Sequence, residues 1–291
     1  MDLPIVVGVD GSEPSLRAVD WAADEAALRG AALRLVYASL WERNEGASLA
    51  HDLGRPSQAV MAEDIVDTAE RRAHHRQPGI EVTTDVLAEE PEYVLVRESR
   101  TALAVVMGCR GRSSMTEALL GSVGVMVAGH AHCPVIVLRG SHDDRARSGA
   151  RGRIVLGVGE KPTGSAAAVR FAAEEALLRR VPLEAVLAWR RPAHQTTGHP
   201  LVVGEPAHQH EQEAGEALAE ALREVPADLR VQRRTVEAHA RDALLAASRE
   251  ADLLVVGARQ RHGHFGLQLG RVAHGVLHHA ACPVAVVPEC D

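Results

Sequence analysis

The sequence of 291 residues contains a single lysine, Lys161, among 32 basic residues, so chemistry that needs a lysine has only one place to sit. Aromatic residues make up 2% of the chain, although hydrophobic residues make up 46%. A core must then be built from Ala, Val and Leu, which suits closely packed helices and parallel strands. The four cysteines, Cys109, Cys133, Cys282 and Cys290, form no CxxC pair. Cys133 and Cys282 each precede a proline at equivalent places and read as small buried residues rather than as a bridge. No apolar run approaches the roughly 18 to 20 residues that span a bilayer. The opening MDLPIVVGVDGS carries an acid at position 2 and runs straight into a strand-like segment, unlike a signal peptide. A net charge of −7 argues against a nucleic-acid or anionic-membrane surface, since such binders present a basic face. The expected location is cytoplasmic.

What the sequence does contain is a repeat. HAHCPVIVL (130–138) returns as HAACPVAVV (279–287), ALAVVMG (102–108) as ADLLVVG (251–257), and IVVGVD (5–10) as IVLGVG (154–159). WAADEAALRG (21–30) matches FAAEEALLRR (171–180) with one extra residue in the spacing, and the order of matches is the same in both halves. The polar, glycine-bearing stretch SHDDRARSGARG (141–152) joins the two copies. Within the first copy, residues 5–9, 33–37, 81–87, 102–108 and 134–138 are short β-rich runs. Several are near-continuous in apolar character, as strands covered on both faces should be. Helical patterns lie between them at 15–29, 57–75, 91–100 and 121–131, the first with Leu16, Val19, Ala23 and Ala26 on one stripe. Strands alternating with helices imply βαβ crossovers and an open parallel sheet. Residues 41–56 and 190–209 read as irregular surface loops.

Ligands of such sheets sit beyond the carboxyl ends of the strands, at the switch point of the topology. The string GCRGRSSMTEALLGS (108–122) follows the fourth strand into that place. Gly108 and Gly111 let the backbone turn so that successive N–H groups form an anion nest. Gly121 and Ser122 begin a helix whose first N–H groups and dipole favour a phosphate. Ser113, Ser114 and Ser122 can donate hydroxyl hydrogen bonds, and Arg110 and Arg112 can neutralise charge. Asp10, at the end of the first strand, can accept from ribose hydroxyls, with Gly8 allowing close approach. A glycine-spaced string alone suits a plain βα turn equally well. GVDGSEPS lacks the GxGxxG spacing of a dinucleotide fingerprint, and GEKPTGS (159–165) has serine where a Walker loop needs lysine.

The G-x2-G-x9-G-S string, the Asp closing the first strand and the terminal H-x-x-C-P-V strand resemble the universal stress protein family over nearly the whole chain, as two tandem domains. The resemblance implies α/β domains with open five-stranded parallel sheets, of the Rossmann-like adenine nucleotide alpha hydrolase type. They are expected at 1–140 and 153–291, with 141–152 as linker. It implies ATP, taken with Mg2+, as the ligand of the first domain. By the same resemblance Asp10 contacts ribose, Gly108, Arg110 and Gly111 bound the phosphate loop, and Gly121, Ser122 and Val123 hold phosphates. It further implies pairing of the two domains of one chain through their last strands; a homodimer and a protein partner are left open.

The second copy departs from the pattern at GARQRHGHFGLQLGR (257–271): Gln260 replaces Gly111, Arg271 replaces Ser122, and Gly159 replaces Asp10. One competent site, in the first copy, is expected. Sixteen histidines, among them His208, His210, His262, His264, His278 and His279, show neither HExxH nor Cys/His ligand spacing, so no metal site is expected. Cys109 reads as a buried filler. No SGGxDS loop and no nucleophile with an orienting base is visible, which favours a nucleotide-binding regulator over an enzyme; the resemblance implies that its role is in the stress response. A slow ATP hydrolase and a nucleotide-independent scaffold are the alternatives.

Overall fold

Runs that are apolar on both faces are satisfied only inside a sheet covered by helices on both sides, and in the computed structural model of the chain that is where they lie. The structure describes residues 3–40, 58–109, 121–138, 152–159, 166–190, 205–259 and 269–289. The chain divides into two units, Met1–Asp143 and Asp144–Asp291.

The first unit runs β1 (Ile5–Gly8), α1 (Glu13–Arg29), β2 (Leu33–Ala38), α2 (Gln58–Arg76), β3 (Val82–Leu87), α3 (Pro91–Glu98), β4 (Ala104–Gly108), α4 (Ser122–His130) and β5 (Val135–Leu138). All pairings are parallel, in the order β3-β2-β1-β4-β5, with Ile5 opposite both Leu33 and Ala104. The second unit repeats this as β6 (Ile154–Val158), α5 (Ala166–Arg179), β7 (Leu183–Trp189), α6 (Glu205–Ala221), β8 (Val231–Glu237), α7 (Ala240–Ser248), β9 (Leu253–Arg259), α8 (Arg271–His279) and β10 (Val284–Glu289). Its order is β8-β7-β6-β9-β10, again parallel throughout. The strands β3 and β8 end their sheets and are the polar ones: Thr83 and Thr84 on the first, and Gln232, Arg233 and Arg234 on the second, are exposed. Polar and charged side chains suit strands with an unpaired edge.

Helix α1 shows how the local sequence builds the layer. Ser12 caps it, its hydroxyl oxygen accepting from the Ser15 N–H at 3.4 Å, and Pro14 sits in the first turn, where a missing N–H costs nothing. Gly30 ends it in the left-handed conformation at φ 64°. The buried face is Ala18, Val19, Ala22, Ala23 and Ala26, all without exposed surface, so small residues bring the helix close to the sheet. Leu16, expected on this stripe, is only half-buried, because the face is centred one step further round.

Several boundaries differ from the sequence reading. The helix expected to reach residue 100 ends at Glu98 and tightens into a 3-10 turn, Ser99–Thr101. The strand expected from 102 begins at Ala104. Of the stretch 190–209, residues 205–209 already belong to α6, with Pro206 in its first turn; 191–204 lie outside the described residues, as do 41–56. Among the described residues no helix is long and apolar enough to cross a membrane.

Both units use the same buried serine as a tie. Ser99 Oγ donates to the Val96 carbonyl at 2.7 Å and accepts from the His132 N–H at 2.9 Å. Ser248 Oγ donates to the Leu245 carbonyl at 2.8 Å and accepts from the Ala281 N–H at 3.0 Å. Each binds the end of a helix to the turn before the last strand. Ser99→Ala or Ser248→Ala removes the acceptor of one backbone N–H and is expected to lower stability by about 1–3 kcal/mol, measured by urea unfolding.

Candidate functional site

In an open parallel sheet, neighbouring strands whose onward connections run in opposite directions leave a crevice at their carboxyl ends. In the first unit these strands are β1, which leads toward β2, and β4, which leads toward β5. A cavity of about 250 Å3 lies there. It is lined by Gly8, Val9 and Asp10 after β1, Val36 and Ala38 on β2, Met107, Gly108 and Cys109 at the end of β4, and Gly121 to Gly124 at the start of α4. Ser15, Pro91 and Leu95 complete it. Val36, Leu95 and Met107 are buried and make an apolar wall.

Asp10 is held rather than loose. Its Oδ1 accepts from the Ser12 N–H at 3.0 Å and from the Ser12 hydroxyl at 2.6 Å, while its own N–H donates to Ser15 Oγ at 3.3 Å. Gly11, at φ 78°, supplies the turn that lets Ser12 reach back. The other carboxylate oxygen makes no hydrogen bond among the described residues, so an acceptor of fixed direction is available at the cavity.

Across the crevice, α4 starts with no side-chain cap. Its entry is pinned by the Gly121 N–H donating to the Cys109 carbonyl at 3.0 Å, and its first turn closes with the Val125 N–H on the Gly121 carbonyl at 3.2 Å. The N–H groups of Ser122, Val123 and Gly124 precede that turn and belong to the donors that a helix cannot satisfy from within. With the helix dipole they make a positive end at the cavity wall. Asp10 and the Cys109 thiol are the only titratable groups among the described lining residues. The cavity therefore offers a hydroxyl-accepting carboxylate on one side and an anion-accepting helix end on the other.

The structure brings together Gly8, Asp10, Gly108, Gly121, Ser122 and Val123 of the residues singled out by sequence; Arg110, Gly111, Arg112, Ser113 and Ser114 lie outside the described residues. Two glycines act differently from the sequence reading. Gly108 is not in the left-handed region; a Cβ there would stand 2.6 Å from the Pro14 carbonyl carbon, so it admits the start of α1 rather than turning the chain. At Gly8 a Cβ would stand 3.0 Å from Leu95 Cδ1, so what Gly8 accommodates is the wall of the cavity itself. Sequence reasoning missed Val9, Ser15, Val36, Ala38, Pro91, Leu95, Met107 and Gly124. Val36 and Ala38 share one face of β2, a parity visible in the sequence. Pro91 and Leu95 are one helical turn apart, but only the topology says which helix covers the crevice.

The second unit keeps the frame and changes the groups. Gly159 stands at the place of Asp10, and nothing lies within 4 Å of where its Cβ would be. Helix α8 again begins behind a glycine without a side-chain cap, Gly270 at φ −61° and ψ 152°, but its first residue is the exposed Arg271. The N-terminus of α5 is taken by the buried Glu289, whose two oxygens accept from the Ala168 and Ala167 N–H groups at 3.0 and 3.2 Å. Gln260, His262, Gly263, His264 and Gly266 lie outside the described residues, as does His208 in respect of its side chain. Among the described residues no group of three His, Cys, Asp or Glu is placed to hold a metal. Cys109, Cys133 and Cys282 are buried, and burial pushes the Cys133 thiol up to about 12.

The universal stress protein family matches residues 3–139 and again 150–288. The chain is 32% identical over 302 residues to a universal stress protein of Mycolicibacterium smegmatis, covering 97% of this chain and 96% of that one. It is 31% identical over 305 residues to a universal stress protein of Mycobacterium tuberculosis, covering 98% and 95%. The crystal structure of a universal stress protein from Archaeoglobus fulgidus DSM 4304 matches with a TM-score of 0.69 at 16% identity over 98% of both chains, a likeness of fold.

The two cleft glycines separate architecture from site. Gly108→Ala drives a methyl into the Pro14 backbone and is expected to cost about 1–3 kcal/mol. Gly121→Ala places a methyl no nearer than 3.9 Å to the Cys109 carbonyl oxygen and should cost about 1 kcal/mol or less as a cap change. Thermal denaturation of both variants measures the difference.

Proposed function

The chain belongs to the universal stress protein family, and from that premise we propose that its first unit binds an adenine nucleotide, ATP with Mg2+, and that occupancy regulates the protein rather than feeding a reaction. The observation that carries this reading is the pairing, in one cavity, of Asp10 with an open carboxylate oxygen and the uncapped start of α4. A nucleotide has the matching order of groups: a flat apolar base, vicinal hydroxyl donors and an anion. The base fits the wall of Val36, Leu95 and Met107, the ribose faces Asp10, and the phosphates meet the N–H groups of Ser122, Val123 and Gly124. Arg110, Gly111, Arg112, Ser113 and Ser114 are proposed to close the phosphate end.

Binding without turnover is supported by what the described lining holds: one carboxylate already engaged by Ser12, and no histidine beside it to act as an orienting base. In the second unit the missing carboxylate at Gly159 removes the ribose acceptor, which supports a single site per chain.

Asp10→Ala is expected to weaken ATP by about tenfold or more, the worth of a hydrogen bond to a charged acceptor. It should also abolish the preference for ATP over its 2′,3′-dideoxy analogue. Gly111→Gln, which writes the Gln260 of the second unit into the first, should weaken both nucleotides alike. Isothermal titration calorimetry on the three proteins tests this; unchanged ATP affinity in both variants removes the proposed site.

A further inference from the structure

The same pair of helices is held together differently in the two units. In the first, α1 and α2 are bridged by side chains. Asp20 accepts from Arg72 Nε and Nη2 at 2.9 and 2.7 Å, and Asp24 accepts from Arg76 Nε and Nη2 at 2.8 and 2.5 Å and from Gln77 Nε2 at 2.7 Å. The hydrogen bond to Asp20 holds the Arg72 guanidinium more firmly charged than usual, and that to Asp24 does the same for Arg76. The stems of both arginines thus cross the space between the helices.

The strand registers carry these positions into the second unit. Leu33 pairs with Val82 as Leu183 pairs with Val231. Asp20 then corresponds to Arg170, Asp24 to Glu174, Arg72 to Ala221, Arg76 to Val225 and Gln77 to Pro226. Both arginines are gone. In their place lies a groove of about 450 Å3 between α5 and the end of α6, floored by Val169, Ala173, Leu177, Ala221, Val225 and Pro226. This volume is within the usual range of about 300–1,000 Å3 for binding pockets. Around it stand Arg170, Glu174, Glu220, Arg223 and Glu224. Glu220 is answered by Arg223 at 2.7 Å, whereas Glu174 and Glu224 have no ion pair among the described residues.

We infer that this groove is a docking site for a partner protein segment that presents one arginine beside apolar side chains. The first unit supplies the template: that space accepts an aliphatic stem, and the carboxylate at the Asp24 position accepts a planar guanidinium in two-pronged fashion. Glu174 keeps the carboxylate and Val225 withdraws the arginine that would have met it. Arg170, at the place of Asp20, repels a second cation, so a single guanidinium is admitted. The apolar floor takes the residues flanking it.

The probe is the peptide fluorescein-Ala-Leu-Arg-Leu-Ala-amide, labelled on its N-terminal amine and titrated by anisotropy against the full chain, with otherwise identical peptides carrying citrulline or glutamate in place of arginine. Citrulline keeps the shape of arginine without its charge. The arginine peptide is expected to bind, and the citrulline peptide to bind at least about tenfold more weakly. Glu174→Gln should cause a similar loss. Val225→Arg, which restores the residue type the first unit carries at Arg76, should fill the groove and abolish binding while the thermal midpoint is kept or raised. Equal binding of the citrulline peptide, tighter binding of the glutamate peptide, full binding by Val225→Arg, or no binding up to about 1 mM each overturns the proposal. Self-association of the unmodified chain that Val225→Arg abolishes would assign the groove to a second copy and also overturn it.

Discussion

A helix that begins without a side-chain cap leaves donors that must find an acceptor outside it. One such helix, α4, is tied to the end of β4 by a backbone hydrogen bond from the Gly121 N–H to the Cys109 carbonyl. The other elements of the first unit arrange a cavity around this end. Gly108 lets the start of α1 approach β4, and α1 in turn holds Ser12 where it aligns the Asp10 carboxylate. Leu95 comes over Gly8 to form the apolar wall. The anion-accepting end and the hydroxyl-accepting carboxylate are therefore consequences of the same packing, and a change to one glycine of the frame disturbs both.

The duplication works as an internal control. The ties that hold each unit together recur: Ser99 and Ser248 make the same pair of hydrogen bonds, and the buried Glu25 and Glu175 each pair with an arginine one turn along, Arg29 and Arg179. Two polar groups at the crevice do not recur, since Asp10 becomes Gly159 and Ser122 becomes Arg271. Nor do the groups that zip the two helices on one face, where Arg72 and Arg76 become Ala221 and Val225. One unit presents a cleft at the strand ends with its helices laced shut. The other has no carboxylate at the place of Asp10 and carries a groove between its helices.

The fold was legible because short β-branched apolar runs such as AVVM and VIVL suit strands buried on both faces, and because each has a counterpart in the second half. Element ends were less so: at the end of α3 the Ser99 hydroxyl accepts from the His132 N–H, a partner 33 residues away that no local pattern reveals. The polar half of the site was legible in Asp10 and in the Gly121–Ser122 pair, whose types state their chemistry. The apolar half was not, because Val36, Leu95 and Met107 are indistinguishable in type from core residues until the sheet order sets them beside β1. The glycines were legible as special positions but not in their reason. Gly108 and Gly8 make room for neighbouring protein atoms, which only the packing discloses.

We propose one nucleotide site per chain, in the first unit. Native mass spectrometry of the purified protein with added ATP and Mg2+ counts bound nucleotide directly. A single ATP per chain is expected, lost on Asp10→Ala together with Gly111→Gln. Two per chain, or none, would contradict it.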